Sequence, residues 1–177
     1  MDWVRNFPFD YKFERTRATA IIAVFLYTGV RFEELRNLKM KDVDLENRSL
    51  FIQSGKGRKD RTIPLHIELV GILQSYIKDR HRLKKTCPYF FTSLRFDSVM
   101  GKSVIGRLVQ KLRDKSGIHF YPHMLRHTFA VLMLEGGCNL YALSKMMGHS
   151  DIKTTTIYLS ATTAHLQEQI NMHSLSA

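Results

Sequence analysis

The sequence predicts a mainly α-helical domain with one small antiparallel sheet, an α+β arrangement in which the sheet is confined to the first half. Three observations lead there. Apolar residues recur at helical spacing over 14–27. Two strand-like runs flank a glycine-rich basic turn between 49 and 65. From residue 102 onward, helix start and stop signals punctuate the chain.

The elements follow in order. Ala18, Ile21, Ile22, Phe25 and Leu26 fall at i, i+3, i+4 spacing, the pattern of a helix with a buried face, and Gly29 ends it. A short helix begins near Val30, with Glu33 and Glu34 in its first turn, where the helix dipole favours anions. Residues 49–53 read as a strand, 55–60 as a turn, and 61–65 as the returning strand of a hairpin, with Pro64 closing it or marking an edge. A short strand over 89–92 is expected to join that hairpin. Helices are expected at about 66–80 and 102–116. Pro122 opens another, which ends at Gly136-Gly137. Further helices cover 139–147, closed by Gly148, and about 151–158, capped by Ser150 and Asp151. A last amphipathic piece begins near Thr163.

Composition narrows the class. The 177 residues are 44% apolar, enough to bury one core without disulfides. No apolar run reaches 18 residues, so no helix is expected to span a bilayer, and no membrane partner is expected. The N-terminus lacks a signal-peptide pattern. Cys87 and Cys138 form no CxxC and are expected to be reduced and intracellular. Lys and Arg total 27 against 16 Asp and Glu, a net charge of +11. Such an excess favours a polyanionic partner, although a basic soluble protein has the same composition. There is no internal repeat and no Pro/Gly-rich linker, so one domain is expected.

Four segments could carry chemistry. On a helix starting at Pro122, His123, Arg126 and His127 share one face in the first turns, where backbone N–H groups attract anions. That suits a phosphate. His-x-x-x-His also has a zinc-ligand spacing, but it lacks the adjoining Glu and sets Arg126 between the ligands. A capping or core histidine pair is the plain alternative. Arg31 follows a helix break, and its planar fork can hold two phosphate oxygens, with Glu34 three residues on to orient it. Solvated helix-start charges would read the same way. The basic tip around Lys56, Arg58, Lys59 and Arg61 could reach a DNA groove, or be a solvated turn. His149 follows a helix-ending Gly148, and Tyr158 lies nine residues later; taken alone, Tyr158 reads as a packing residue.

Together and in this order, TGVRFEEL (28–35), GKGRKDRTIPL (55–65), HMLRHTFA (123–130) and MGHSDIKTTTIY (147–158) resemble the tyrosine recombinases, the phage-type integrases and Xer-like resolvases. The resemblance runs from about residue 14 to 165. It implies a tyrosine recombinase catalytic-domain-like fold, and site-specific cleavage and rejoining of double-stranded DNA through a 3′-phosphotyrosine. That activity would serve integration or excision of a phage or mobile element, or resolution. Carried over by position, Arg31 and Arg126 clamp the phosphate and Lys56 protonates the departing 5′-oxygen. His123 acts as acid or base, His149 bonds a phosphate oxygen, and Tyr158 is the nucleophile. Glu34 and His127 support the site. Arg58, Lys59, Arg61 and Lys145 are expected DNA-backbone contacts from local charge.

The family also implies a cytoplasmic enzyme that needs no cofactor, neither metal nor ATP, and works as a homotetramer on DNA when full length, the isolated domain being a monomer. Residues 1–13 are expected to be a linker remnant, the N-terminal core-binding domain to be absent, and 163–177 to form a tail that docks in trans through Leu166 and Ile170. A type IB topoisomerase-like relaxing enzyme shares the chemistry, and a non-cutting DNA-binding regulator shares the fold.

Overall fold

The computed structural model describes residues 2–53, 59–149, 151 and 153–158. Lys56 and Arg58, Ser150, and the expected tail with Leu166 and Ile170 lie outside the described residues.

The domain is built around one helix. After α1 (Asp2–Arg5), α2 runs over Lys12–Thr28. The sequence pattern marks a single apolar face, yet every residue from Ala18 to Phe25 is buried. A helix apolar on all sides is a core helix. It packs against α1, α4 (Ile67–Arg82) and α6 (Pro122–Glu135), and α3 (Phe32–Asn37) follows it directly. Gly29 caps α2 in the left-handed region, and its N–H donates to the Phe25 carbonyl.

Within residues 1–13, expected as a linker remnant, several side chains are buried. Val4, Phe7 and Phe9 belong to the main core, and Lys111 lies over the Phe7 and Phe9 rings. Three large apolar side chains cannot be left in water without losing roughly 1.5–3 kcal/mol each.

The sheet has three antiparallel strands in the order β1-β2-β3: Val43–Asp44, Ser49–Ile52 and Arg61–Pro64. Its third member differs from expectation. Residues 89–92 do not join the hairpin. Tyr89 makes an isolated bridge to Lys39 and Thr92 one to Val99, while Val43–Asp44 pairs with Ser49–Leu50. Phe90 and Phe91 are buried instead, packed on each other and on Tyr76, whose hydroxyl donates to the Phe90 carbonyl. Their apolar character serves the core rather than a strand. Pro64 ends β3, an edge strand where its missing N–H costs no ladder bond.

The second half is helical: α5 (Lys102–Ser116), α6, α7 (Leu140–Met147) and α8 (Lys153–Thr156). Asn139 caps α7 by accepting from the Tyr141 and Ala142 N–H groups. Asp151 caps α8 by accepting from the Lys153 N–H. The helix expected over 151–158 is therefore shorter, ending in a turn that carries Ile157 and Tyr158. A second apolar cluster, Phe129, Ala130, Leu134, Leu143, Met147 and Tyr158, seats this end of the chain.

Candidate active site

Gly29 sets the geometry of the first site residues. With the chain turned sharply at a left-handed residue, Arg31 falls at the N-terminus of α3 in extended conformation. The Arg31 backbone N–H donates to Glu34 Oε2 at 2.8 Å and its Nη1 to Glu34 Oε1 at 3.0 Å. Nη2 donates to the Gly148 carbonyl at 2.9 Å. Arg31 is thus held from both sides of the site, with its side chain 25% exposed and facing the opening.

Arg126 lies one turn into α6 and is buried. Its Nη1 donates to the Gly29 carbonyl, and its Nη2 donates to the Met147 carbonyl at 2.9 Å and meets His149 Nε2 at 3.0 Å. Burial first, and Arg31 second, pull its guanidinium down to about 10, so it remains cationic at neutral pH. Arg126 therefore bonds carbonyls at the ends of both α2 and α7, and Arg31 bonds one at the end of α7. That arrangement fixes where the planar forks point before any ligand arrives.

His149 follows Gly148, the left-handed C-cap of α7. Its Nδ1 meets Thr155 Oγ1 at 2.8 Å. Burial, then Arg126, Arg31 and Arg61, push its imidazole down to about 4. The ring is neutral at pH 7, and since Arg126 can only donate, Nε2 must accept and the proton sits on Nδ1.

Tyr158 is 4% exposed, packed in the second apolar cluster, with its ring 5.1 Å from that of His127. It lines a cleft of about 430 Å³ with Arg31, His123, Arg126, His127 and His149. His123 and His127 are both exposed on α6. A larger groove of about 820 Å³ between α2 and α4 holds Arg5, Arg15 and Tyr27, but the Tyr27 hydroxyl donates to Glu68 Oε2 at 2.5 Å, and that carboxylate raises its pKa rather than activating it. Chemistry therefore singles out the smaller cleft.

Arg61 departs from its expected place at the DNA surface. Its side chain is 8% exposed, and Nη1 and Nη2 donate to the two oxygens of Glu34 at 2.9 and 2.8 Å, with Nε on the Met146 carbonyl at 2.7 Å. A Cβ on Gly148 would lie 2.8 Å from its Nη1. Burial alone would raise the Glu34 carboxyl; the hydrogen bonds from Arg61 and the Arg31 backbone outweigh it and hold Glu34 at about 2. Strand alternation carried a signal for this, because Arg61 shares a face with buried Ile63. Lys59 and Lys145, by contrast, are exposed, Lys145 over the Tyr141 ring. Thr155 escaped notice: within Thr154-Thr155-Thr156 nothing in the sequence marks the middle hydroxyl as the one turned to His149.

The cleft thus gathers two fixed guanidiniums, a neutral histidine, two exposed histidines and a tyrosine around one space. A model of the phage integrase family matches residues 8–165. The tyrosine recombinase XerA of Pyrococcus horikoshii is 39% identical over 153 residues, 85% of this chain and 53% of that protein. A crystal structure of XerA recombinase is 38% identical with a TM-score of 0.78, covering 90% of this chain and 58% of that one. The integrase of the Tn1549 transposon, solved in complex with a circular intermediate DNA, is 25% identical with a TM-score of 0.72, covering 94% of this chain and 63% of that one. The chain spans about half the length of the curated relatives it matches. It belongs to the phage integrase family, and its fold is that of a tyrosine recombinase catalytic domain.

Proposed function

We propose that this domain cleaves and rejoins double-stranded DNA at specific sites, through a covalent bond between Tyr158 and a 3′-phosphate. The observation that carries the reading is the shared cleft: Arg31, His123, Arg126 and His149 line the same space as the Tyr158 side chain. An unperturbed phenol, with a pKa near 10, is a poor nucleophile at neutral pH. Two guanidiniums lining the same cleft stabilise the negative charge that builds on the phosphate as the fifth bond forms.

In this reading Tyr158 Oη attacks phosphorus, and the bond from phosphorus to the 5′-oxygen breaks. Arg31 and Arg126 hold the non-bridging oxygens, and His149 donates to one of them through Nε2 once Arg126 turns to the phosphate and the ring proton moves to that nitrogen. His123 takes the phenolic proton. Lys56 gives a proton to the departing oxygen, leaving a 5′-hydroxyl. One phosphodiester is exchanged for another, so rejoining by the reverse path needs no ATP. Cationic side chains supply the charge that a metal supplies in other phosphoryl-transfer sites. Glu34 and Arg61 hold Arg31 in place, and His127 packs on the nucleophile. The relatives' names point to the same use: XerA is a recombinase and the Tn1549 enzyme a transposon integrase seen on DNA.

The test uses a duplex nicked just downstream of the scissile phosphate, so that the released fragment diffuses away and traps the adduct. Incubated with this chain, it gives a protein–DNA band stable to denaturant, and Tyr158→Phe abolishes the band while DNA binding persists. A Phe variant that still forms adduct removes Tyr158 from its role. A gel shift with no adduct from the wild type identifies a non-cutting regulator. Relaxation of supercoils without exchange of partners identifies a topoisomerase-like enzyme.

A further inference from the structure

Three consecutive threonines lead up to the tyrosine, and each has a different environment. Thr155 is fully buried, with its hydroxyl 2.8 Å from His149 Nδ1. Thr156 is exposed, and its hydroxyl donates to the Lys153 carbonyl at 2.8 Å. Thr154 is exposed too, but it lines the cleft with Arg31, His123, Arg126 and Tyr158. Its hydroxyl makes no hydrogen bond among the described residues.

The helix explains this freedom. Because α8 begins at Lys153, Thr154 has no carbonyl of its own helix four residues behind it. That is the bond which Thr16, Thr28 and Thr128 make to the Lys12, Val24 and Met124 carbonyls. The backbone of Thr154 is nonetheless fixed, since its N–H donates to the Asp151 carbonyl at 3.1 Å.

We infer that the Thr154 hydroxyl donates to a non-bridging oxygen of the scissile phosphate, as a further substrate contact of the cleavage site. The inference rests on the function proposed above.

A hydroxyl is a donor that this cleft can add at little cost. Burial, and then the charge of Arg31, already pull the Arg126 guanidinium down to about 10. A third cation beside these two would meet repulsion. A neutral hydroxyl adds a donor without adding charge, and its hydrogen rotates to meet the acceptor. Position sets when the bond forms. Thr154 stands four residues before Tyr158 on the segment that carries the nucleophile, so the two side chains approach the phosphate together. A donor tied to the nucleophile in this way reaches the phosphate only in the attack-ready arrangement. Its bond then lowers the barrier rather than tightening the binding of DNA.

The experiment compares Thr154→Val, which keeps the shape and removes the hydroxyl, with Thr154→Ser, which keeps the hydroxyl. Thr156→Val, which removes the neighbouring hydroxyl, is the control. Single-turnover adduct formation is followed on the nicked duplex at saturating DNA, with affinity read by fluorescence anisotropy and stability by urea unfolding. Thr154→Val is expected to slow adduct formation about 10–100-fold, the range for losing one hydrogen bond to a charged oxygen. Its DNA affinity should stay within about two-fold of the wild type. Its urea midpoint should be unchanged, because the hydroxyl has no partner inside the described protein to lose. Thr154→Ser is expected to stay within a few-fold of the wild-type rate, and Thr156→Val within about two-fold. A Thr154→Val variant that forms adduct at the wild-type rate overturns the inference and leaves the nucleophile reading standing. Equal losses for Ser and Val, or a Val loss that follows a lowered urea midpoint, overturn it in favour of packing. Weaker DNA binding at an unchanged rate also overturns it, by moving the hydroxyl to a phosphate outside the reacting centre. A wild type that forms no adduct overturns the nucleophile reading and this inference with it.

Discussion

Arg61 and Glu34 form a two-pronged ion pair at 2.9 and 2.8 Å that joins the foot of the basic hairpin to α3, the helix that follows Arg31. Both side chains are less than a tenth exposed. Removing one partner of such a pair strands the other charge in a poorly solvated place, which costs more than the pair itself is worth. Glu34→Gln is therefore expected to destabilise the domain by about 2–4 kcal/mol, read as a lowered urea midpoint at an unchanged slope. Arg61→Met is expected to lose at least as much adduct-forming activity as Glu34→Gln, because it frees both Glu34 and the Met146 carbonyl. A Glu34→Gln midpoint equal to that of the wild type would show that the pair is solvated.

The same carboxyl gives a pH signature. Glu34 is held at about 2, below its ordinary value of 4.5. A depressed carboxyl adds stability that is fully present above about 4.5 and is lost as pH falls towards 2, because the unfolded chain takes up the proton first. The interval is worth about 3 kcal/mol. His149, pushed down to about 4 from 6.5, has the same sign in a higher window: its contribution is present above 6.5 and is lost as pH falls to about 4. Urea titrations from pH 7 to pH 3 should show the wild type converging on Glu34→Gln only below pH 4.5, and on His149→Gln already between 6.5 and 4. Parallel curves for wild type and Glu34→Gln over the whole range would place that carboxyl at its ordinary value.

Gly29 is irreplaceable for two separable reasons. Its φ of +60° strains any residue with a Cβ, and a Cβ there would lie 2.2 Å from Phe129 Cδ1. Gly29→Ala is expected to cost about 2–4 kcal/mol, combining left-handed strain with overpacking. In a Phe129→Leu background the steric part is relieved, and the cost of the alanine is expected to fall to about 1 kcal/mol. Because the Gly29 carbonyl also receives Arg126, adduct formation should drop even where the double variant is folded. Equal costs of the alanine in both backgrounds would rule out the clash as the source.

Helix boundaries were legible wherever a residue type forces the backbone: Gly29 and Gly148 in the left-handed region, Pro122 at a helix start, Asp151 as a cap. The third strand was not, because Tyr89-Phe90-Phe91-Thr92 has strand composition but spends it on the core around Tyr76, while Val43–Asp44 is too short for any periodicity to show. At the site, residues that touch the cleft were legible because charge, imidazole and phenol are rare enough to be noticed in ordered motifs. The contacts that orient them were not. Carbonyls of Gly29, Met146, Met147 and Gly148 take half of the side-chain hydrogen bonds of Arg31, Arg61 and Arg126, and every residue has a carbonyl. Arg61 was misplaced for a related reason: in a run of basic residues, only its position on the inward face of β3 separates it from Lys59.

That separation can be measured in DNA binding. Lys59 and Lys145 are exposed, whereas the Arg61 guanidinium is committed to Glu34 and the Met146 carbonyl. Each phosphate neutralised contributes about −0.9 to the slope of log affinity against log salt. Lys59→Gln and Lys145→Gln should each reduce the magnitude of that slope by about 0.9 if they sit on phosphates, and should leave the rate of adduct formation at saturating DNA within about two-fold. Arg61→Gln should do the reverse: little change in salt slope, and a large loss of adduct, because its charge is already spent inside the protein on holding Arg31 through Glu34. Fluorescence anisotropy of a labelled duplex across a salt series, run beside the nicked-duplex assay, separates the two effects. An Arg61→Gln variant that loses about 0.9 of slope and keeps its cleavage rate would return Arg61 to the DNA surface and leave Glu34 to orient Arg31 by itself.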